Sequence, residues 1–191
     1  PFGVFTKIKL ASLSPHEMQK AVDAVLAEIK IADLECLFFH RLDEFIRVRE
    51  TIDLRKNFPN IHFGASVYTN QELEMASIYP EIDWIQLPYN LLDNSNQRGA
   101  SILRARNRGK KIQVRSVFLQ GLFFMELDKI PAKLNPLQTY IAHISGIANK
   151  YSVSLTALAL QYPLHKPEID GVLIGCETLD QLHANFSALE E

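Results

Sequence analysis

Short apolar runs alternate with longer segments of helical period along the whole chain. The runs begin near residues 2, 34, 61, 82, 112 and 170. Residues 34–40, Leu-Glu-Cys-Leu-Phe-Phe-His, are almost wholly apolar, as a strand covered on both faces would be. Residues 83–90, Asp-Trp-Ile-Gln-Leu-Pro-Tyr-Asn, read as a buried strand over 84–87 that stops at Pro88, since proline has no N–H for a ladder. Between the runs lie helices. Ser14-Pro15-His16-Glu17 is a helix start: serine as N-cap, proline at the first helical position and a glutamate at capping-box spacing. That helix is predicted to reach about Ile29, with Ala21, Val22, Val25, Leu26 and Ile29 on one face. Further helices are predicted over about 44–56, from a cap at Asn70 through Ile78, and over about 97–108, the last closed by Gly109. After a fifth strand at 111–118 come a loop (125–136), a helix through Tyr151 and another from Ser154 to about Leu164. A last strand at 171–176 precedes a helix from near Thr178 to the end.

Repeated strand–helix units imply a parallel α/β sheet with right-handed crossovers, hence a barrel or a doubly wound sheet. The chain has no Gly-x-Gly-x-x-Gly and no Walker sequence, which favours the barrel. A complete barrel of this type has eight strands and about 250 residues. Six strand candidates in 191 residues make an incomplete (β/α)8 barrel, read as a single domain over 1–191. In such barrels the active site is built at the C-terminal ends of the strands. Polar residues recur there: Lys7, His40, Ser66, Gln86, Arg115 with Ser116, and Gly175 with Thr178 just beyond. Singly, each is ordinary: a surface lysine, a core histidine, hydrogen-bonded core polars. Arg115 is the least so, because an arginine in an apolar strand needs a partner or a ligand. Together they describe a concave polar site.

Composition narrows the function classes. A formal net charge of −2 gives no electrostatic case for nucleic acid or an anionic membrane. The local basic run of Arg98, Arg104, Arg106, Arg108, Lys110 and Lys111 reads as a solvated helix face, with a phosphate or partner patch as the minor alternative. No apolar run reaches the roughly 18 residues of a spanning helix, and no signal peptide is visible. The chain opens on Pro1 and enters an apolar segment at once, which reads as a chain missing its start. Cys36 and Cys176 sit in apolar runs and are expected to be reduced, buried thiols of a cytoplasmic protein, without metal-ligand spacing nearby.

Several stretches, in order and covering nearly the whole chain, resemble the aldo-keto reductases: 5–8 (Phe-Thr-Lys-Ile), 37–41 (Leu-Phe-Phe-His-Arg), 63–69 (Phe-Gly-Ala-Ser-Val-Tyr-Thr), 85–93 (Ile-Gln-Leu-Pro-Tyr-Asn-Leu-Leu-Asp), 114–122 (Val-Arg-Ser-Val-Phe-Leu-Gln-Gly-Leu), 154–161 (Ser-Leu-Thr-Ala-Leu-Ala-Leu-Gln) and Gly171 to Asn185. The 114–122 form is similar to a bacterial branch associated with sugar-nucleotide and surface-polysaccharide genes. The resemblance implies NADPH or NADH as cofactor and hydride transfer to an aldehyde or ketone. In the family a tyrosine gives the proton, a lysine paired with an aspartate lowers that tyrosine's pKa, and a histidine orients the carbonyl. It implies catalytic roles for Lys7, the lysine, and His40, the histidine. Ser66 and Gln86 match residues that bond the nicotinamide amide, and Arg115 one that stacks on the ring. Ser116, Leu119 and Gln120 fall beside the pyrophosphate. Gly175, Thr178, Gln181 and Asn185 fall in the adenosine segment at the last helix's N-terminus, a natural anion site.

The sequence departs from the family pattern at three places. The family's aspartate and tyrosine belong to its first two βα units, whereas this chain matches from the third, so the chain as written is expected to reduce carbonyls poorly. The asparagine that often follows the strand-three serine is Val67. The arginine that in many members grips the 2′-phosphate of adenosine is Gln181, with Glu177 and Asp180 nearby, which implies weak discrimination between NADPH and NADH. Two alternatives stand beside the reductase reading: a reductase-derived, non-catalytic binding or assembly module, and an unrelated phosphate-binding barrel, which the motif order disfavours.

Overall fold

The computed structural model describes residues 3–8, 14–28 and 33–191. Phe2 and Ile29, both expected on apolar faces, lie outside the described residues, as does the side chain of Leu26. Six strands follow one another in chain order, β1-β2-β3-β4-β5-β6. They are β1 (Gly3–Ile8), β2 (Asp33–Phe39), β3 (His62–Ser66), β4 (Ile82–Pro88), β5 (Lys111–Arg115) and β6 (Gly171–Val172). The β1/β2, β2/β3, β3/β4 and β5/β6 pairings are all parallel. Sequential parallel order with helices between is the order of an incomplete (β/α)8 barrel. A doubly wound sheet would reverse at a switch point. The chain forms two compact units: residues 1–87 with 101–112, and 88–100 with 113–191.

In the first unit, α1 (Pro15–Glu28) starts on the expected capping box: Ser14 N–H donates to Glu17 Oε2 at 2.8 Å and Glu17 N–H to Ser14 Oγ at 3.3 Å. Met18 and Val22 are its buried stripe. β2 is covered on both faces, and Cys36, Leu37, Phe38 and Phe39 are all buried. Cys36 is buried as expected, and burial pushes its thiol's pKa up. The helix predicted over 44–56 is two helices, α2 (Leu42–Arg49) and α3 (Leu54–Asn57). The break comes where Thr51 Oγ1 donates to the Val48 carbonyl and Asp53 starts a new helix by accepting from Lys56 N–H. α4 (Asn70–Ile78) is capped by Thr69 rather than Asn70, with Glu72 closing a full capping box.

The basic run is only in part a solvated face: Arg104, Arg108 and Lys111 are exposed, whereas Lys110 is buried. It lies on and after α5 (Ser95–Asn107), and most of it is engaged within its own unit. Arg104 pairs with Glu74 and Arg108 donates to Ser77 Oγ. Lys111 lies over the Trp84 ring. Lys110 is buried and donates to the carbonyls of Tyr79 and Ile82 at 2.6 and 2.7 Å. These cations join α5 to α4 and the start of β4. In the second unit, Arg98 Nε donates to Asp93 Oδ1 at 2.7 Å, with a second bond from Nη2 to Oδ2.

The second unit packs around Leu122, Phe123, Ile130, Ile141, Ile144 and Ala159. These come from 3-10 turns at Leu119–Phe124 and Leu127–Lys129, then α6 (Gln138–Tyr151) and α7 (Leu155–Leu164). The fifth strand is shorter than expected because Ser116 takes a left-handed backbone, φ 61°. The last strand stops at Val172, Leu173 N–H still donates to the Val114 carbonyl, and residues 174–177 leave the sheet. Cys176 is therefore exposed, contrary to the expectation of a buried thiol. α8 (Leu179–Ser187) follows, with Thr178 as its N-cap. Among the described residues, no helix is long and apolar enough to cross a membrane.

Candidate active site

In the first unit the parallel register sets three polar side chains toward the C-terminal ends of strands β1, β3 and β4. Lys7 is next to last in β1, Ser66 ends β3, and Gln86 is opposite Ser66 in β4. Lys7 Nζ donates to Ser66 Oγ at 3.2 Å, and Ser66 Oγ donates to Gln86 Oε1 at 3.3 Å. Ser66 and Gln86 are buried, so their polar atoms need these bonds. His40 directly follows β2 at the same sheet end and is exposed. Val67 is buried and gives its N–H to the Gln86 carbonyl, so the residue after the serine anchors the β3/β4 ladder.

In the second unit Arg115 ends β5, and its Nη1 donates to Ser116 Oγ at 3.2 Å. The segment beyond is strained: Ser116, Leu119 and Gln120 have φ of 61, 47 and 54°, and Gly121 has 83°. Non-glycine residues held there cost on the order of 1–3 kcal/mol each and gather where a loop is shaped for a ligand. Asn90 holds the loop. It is fully buried, its Oδ1 accepts from the N–H groups of Leu92 and Asp93, and its Nδ2 donates to the Ser116 carbonyl.

This loop walls a cavity of about 920 Å³. Of the residues expected there, Ser116, Gln120, Gly175, Gln181 and Asn185 are in the wall. Leu119 instead packs against the unit's apolar core, and Thr178 caps α8 by accepting from Gln181 N–H at 3.2 Å. Asn185 is buried and donates to Cys176 Sγ at 3.1 Å, which fixes the 176–185 side of the wall. A Cβ placed on Gly121 or Gly175 would meet no atom within 4 Å, so both glycines leave cavity space open. A cavity of this size and mixed lining suits one end of a nucleotide cofactor. Sequence reasoning missed Phe118, Phe124, Thr156 and Cys176 in the wall, whereas Glu177 is noted there beside Gln181. Only the strand-end signal was available to it, and these residues lie beyond strands or on helices. Asn90 was detectable, as a polar residue two places past a strand-ending proline.

Two tyrosines near strand ends differ in what they can do. Tyr89 is fully buried, its hydroxyl 2.6 Å from Ser95 Oγ and 3.3 Å from Tyr162 OH, with the two rings stacked. Burial pushes its pKa up, and it keeps its proton. Burial also opposes ionisation of Tyr162, but bonds from Ser95 and Tyr89 and the nearby Lys166 ammonium outweigh it and hold that phenol below its ordinary value. This pair is a packing device for α5 and α7. Tyr68, after β3, is 57% exposed.

The family model described as Aldo/keto reductase family matches residues 2–191. The chain belongs to the aldo/keto reductase family. Solved structures agree on the fold. Aldo-keto reductase AKR11C1 from Bacillus halodurans, in its holo form, superposes with a TM-score of 0.69 at 21% identity, covering 98% of this chain and 66% of its own. The thermostable aldo-keto reductase Tm1743, solved with the inhibitor epalrestat, gives 0.67 at 17% identity over 98% and 65%. MGS-M4, an aldo-keto reductase from a Medee basin deep-sea metagenome library, gives 0.67 at 12% identity over 98% and 65%. The chain thus spans just under two thirds of the length of these structures. No curated protein matches the chain significantly.

Proposed function

We propose that these residues serve an NAD(P)H-dependent oxidoreductase that reduces an aldehyde or ketone, a sugar-derived carbonyl in particular. The observation that carries the reading is the bonded series Lys7–Ser66–Gln86, from β1, β3 and β4 of the first unit. The cavity of the second unit supports it. Ser66 and Gln86 would hold the nicotinamide carboxamide, a group with one acceptor and two donors that matches a hydroxyl and an amide. Arg115 would lie against the ring face, which a planar guanidinium suits. Ser116 and Gln120 would flank the pyrophosphate, and Gly175, Gln181 and Asn185 the adenosine. The bound nicotinamide supplies the hydride.

The protein's part is to bind the carbonyl and manage charge. As hydride arrives, negative charge builds on the carbonyl oxygen. The Lys7 ammonium stabilises charge developing near it, and a ring N–H of His40 can orient the oxygen. The oxygen must then take a proton, and a positioned acid contributes on the order of 10²–10⁴-fold. Tyr89 is buried and bound within the second unit, which leaves Tyr68 as the tyrosine exposed beside a strand end. Tyr68 follows β3 whereas Lys7 is in β1, and the chain is expected to bind cofactor and turn over slowly. On that chain alone the behaviour would be that of a non-catalytic binding module. The test is oxidation of NADH and NADPH with 4-nitrobenzaldehyde by the protein that carries these residues. Lys7→Met is expected to lower the rate about a hundredfold, and an unchanged rate contradicts the reading.

A further inference from the structure

Asn90 is fully buried and bonded at both ends of its amide. Its Oδ1 accepts from Leu92 N–H at 2.9 Å and from Asp93 N–H at 3.0 Å, and its Nδ2 donates to the Ser116 carbonyl at 3.3 Å. Its own N–H donates to the Asp93 carbonyl at 2.9 Å, which closes a turn over 90–93. Arg98 anchors that turn within the same unit, with Nε and Nη2 both 2.7 Å from the Asp93 carboxylate. The turn by itself asks only for a side-chain acceptor, and an aspartate would serve it as well. What asparagine adds is a donor, and that donor goes to Ser116.

Ser116 is the first residue past β5, and its φ of 61° is one a side-chain-bearing residue keeps only where its surroundings hold it. Its carbonyl takes a second bond from Leu119 N–H at 3.1 Å, so both lone pairs are engaged. One residue earlier, Tyr89 N–H donates to the Arg115 carbonyl at 3.1 Å. Tyr89 and Asn90 thus hold two successive carbonyls where β5 ends, the first through a backbone group and the second through a side chain. That corner carries the Arg115 guanidinium, whose Nη1 donates to Ser116 Oγ at 3.2 Å. One backbone turn therefore aims both the guanidinium and the hydroxyl. We infer that Asn90 is a positioning residue: by bonding the Ser116 carbonyl it fixes the left-handed corner that sets Arg115 and Ser116 for the nicotinamide half of the dinucleotide. This rests on the dinucleotide reading above and extends it to a residue that acts through two others. An aspartate at this position keeps the turn but sets a carboxylate against the Ser116 carbonyl, two acceptors with no proton between them.

The experiment is calorimetric titration of the unaltered protein, Asn90→Asp, Arg115→Leu and the double variant with NADH, and separately with 5′-AMP, which carries the adenosine end alone. Asn90→Asp is expected to weaken NADH at least about tenfold and 5′-AMP less than about twofold, a split that a general loss of folding would not produce. Asn90→Ser, which keeps an acceptor for the turn and is too short to reach Ser116, is expected to show the same split. In the Arg115→Leu background the further loss of NADH affinity on Asn90→Asp should be under about threefold, because most of what Asn90 positions is then gone. Equal weakening of NADH and 5′-AMP, equal factors in both Arg115 backgrounds, or NADH bound by Asn90→Asp as by the unaltered protein overturns the inference and leaves the dinucleotide reading standing. No binding of NADH to the unaltered protein overturns that reading and the inference with it.

Discussion

Lys7, Gly175 and Tyr89 give the sharpest predictions at the scale of single residues. Lys7 bonds to Ser66 through its ammonium. Lys7→Met should lower kcat for carbonyl reduction about a hundredfold, while the dissociation constant for NADH moves less than about threefold. A large loss of cofactor affinity with kcat intact would reassign the lysine to binding. Gly175 stands in the cavity wall with open space where a side chain would project, and its backbone is not left-handed. Gly175→Val should weaken NADH at least about tenfold and leave the melting temperature within about 2 °C, since a methyl there displaces ligand and not protein. A drop in melting temperature with unchanged binding would show the glycine to be structural. Tyr89→Phe removes a hydroxyl bonded to Ser95 and Tyr162 and should cost about 1 kcal/mol of stability without changing the chemical step.

Elements are where sequence and structure compare most usefully. β2 and β4 were legible because a strand covered on both faces must be apolar, and because a proline ends a ladder. Lys7, Ser66 and Gln86 were legible as polar residues at the ends of such strands. The 44–56 helix was read as one because its apolar spacing continues through the break, and Thr51 and Asp53 interrupt it by local hydrogen bonds that periodicity does not register. The engagement of the basic run with the fold is not legible from helix patterning, because its partners, Glu74, Ser77 and the carbonyls of Tyr79 and Ile82, are on α4 and around β4, about 30 residues away in sequence. Cys176 was misread because an apolar run does not say where a strand loses its neighbour. Two element-scale predictions follow from contacts of this kind. Phe38 lies over Gly64 in the paired strand, and a Cβ on Gly64 would sit 2.4 Å from the Phe38 ring. Gly64→Ala should therefore destabilise by about 1–3 kcal/mol, and by clearly less in a Phe38→Leu background. Additive losses in chemical denaturation would contradict the contact. On α4, partial burial works against the Glu72 carboxylate, but the N–H groups of Tyr68 and Thr69 and the Thr69 hydroxyl outweigh it and hold its pKa below the usual 4.5. A depressed carboxylate adds stability that is full above its unfolded pKa and is lost as pH falls through the folded value. Thr69→Ala should therefore cost about 1 kcal/mol at pH 7 and less below pH 4. A cost that stays constant across that range would mean the capping box is not formed in solution.

For the whole molecule, the family match covers residues 2–191, and the fold similarity covers 98% of the chain at low identity. Membership and fold rest on those matches. Carbonyl reduction rests on the side chains at the strand ends and in the cavity wall. The most direct measurement is isotope transfer: the protein is incubated with NADH dideuterated at the nicotinamide C4 position and 4-nitrobenzaldehyde, and the alcohol is weighed by mass spectrometry. The account predicts an alcohol heavier by one deuterium, formed about a hundredfold more slowly by Lys7→Met. An alcohol without deuterium, or no alcohol from the unaltered protein with either cofactor, would contradict it.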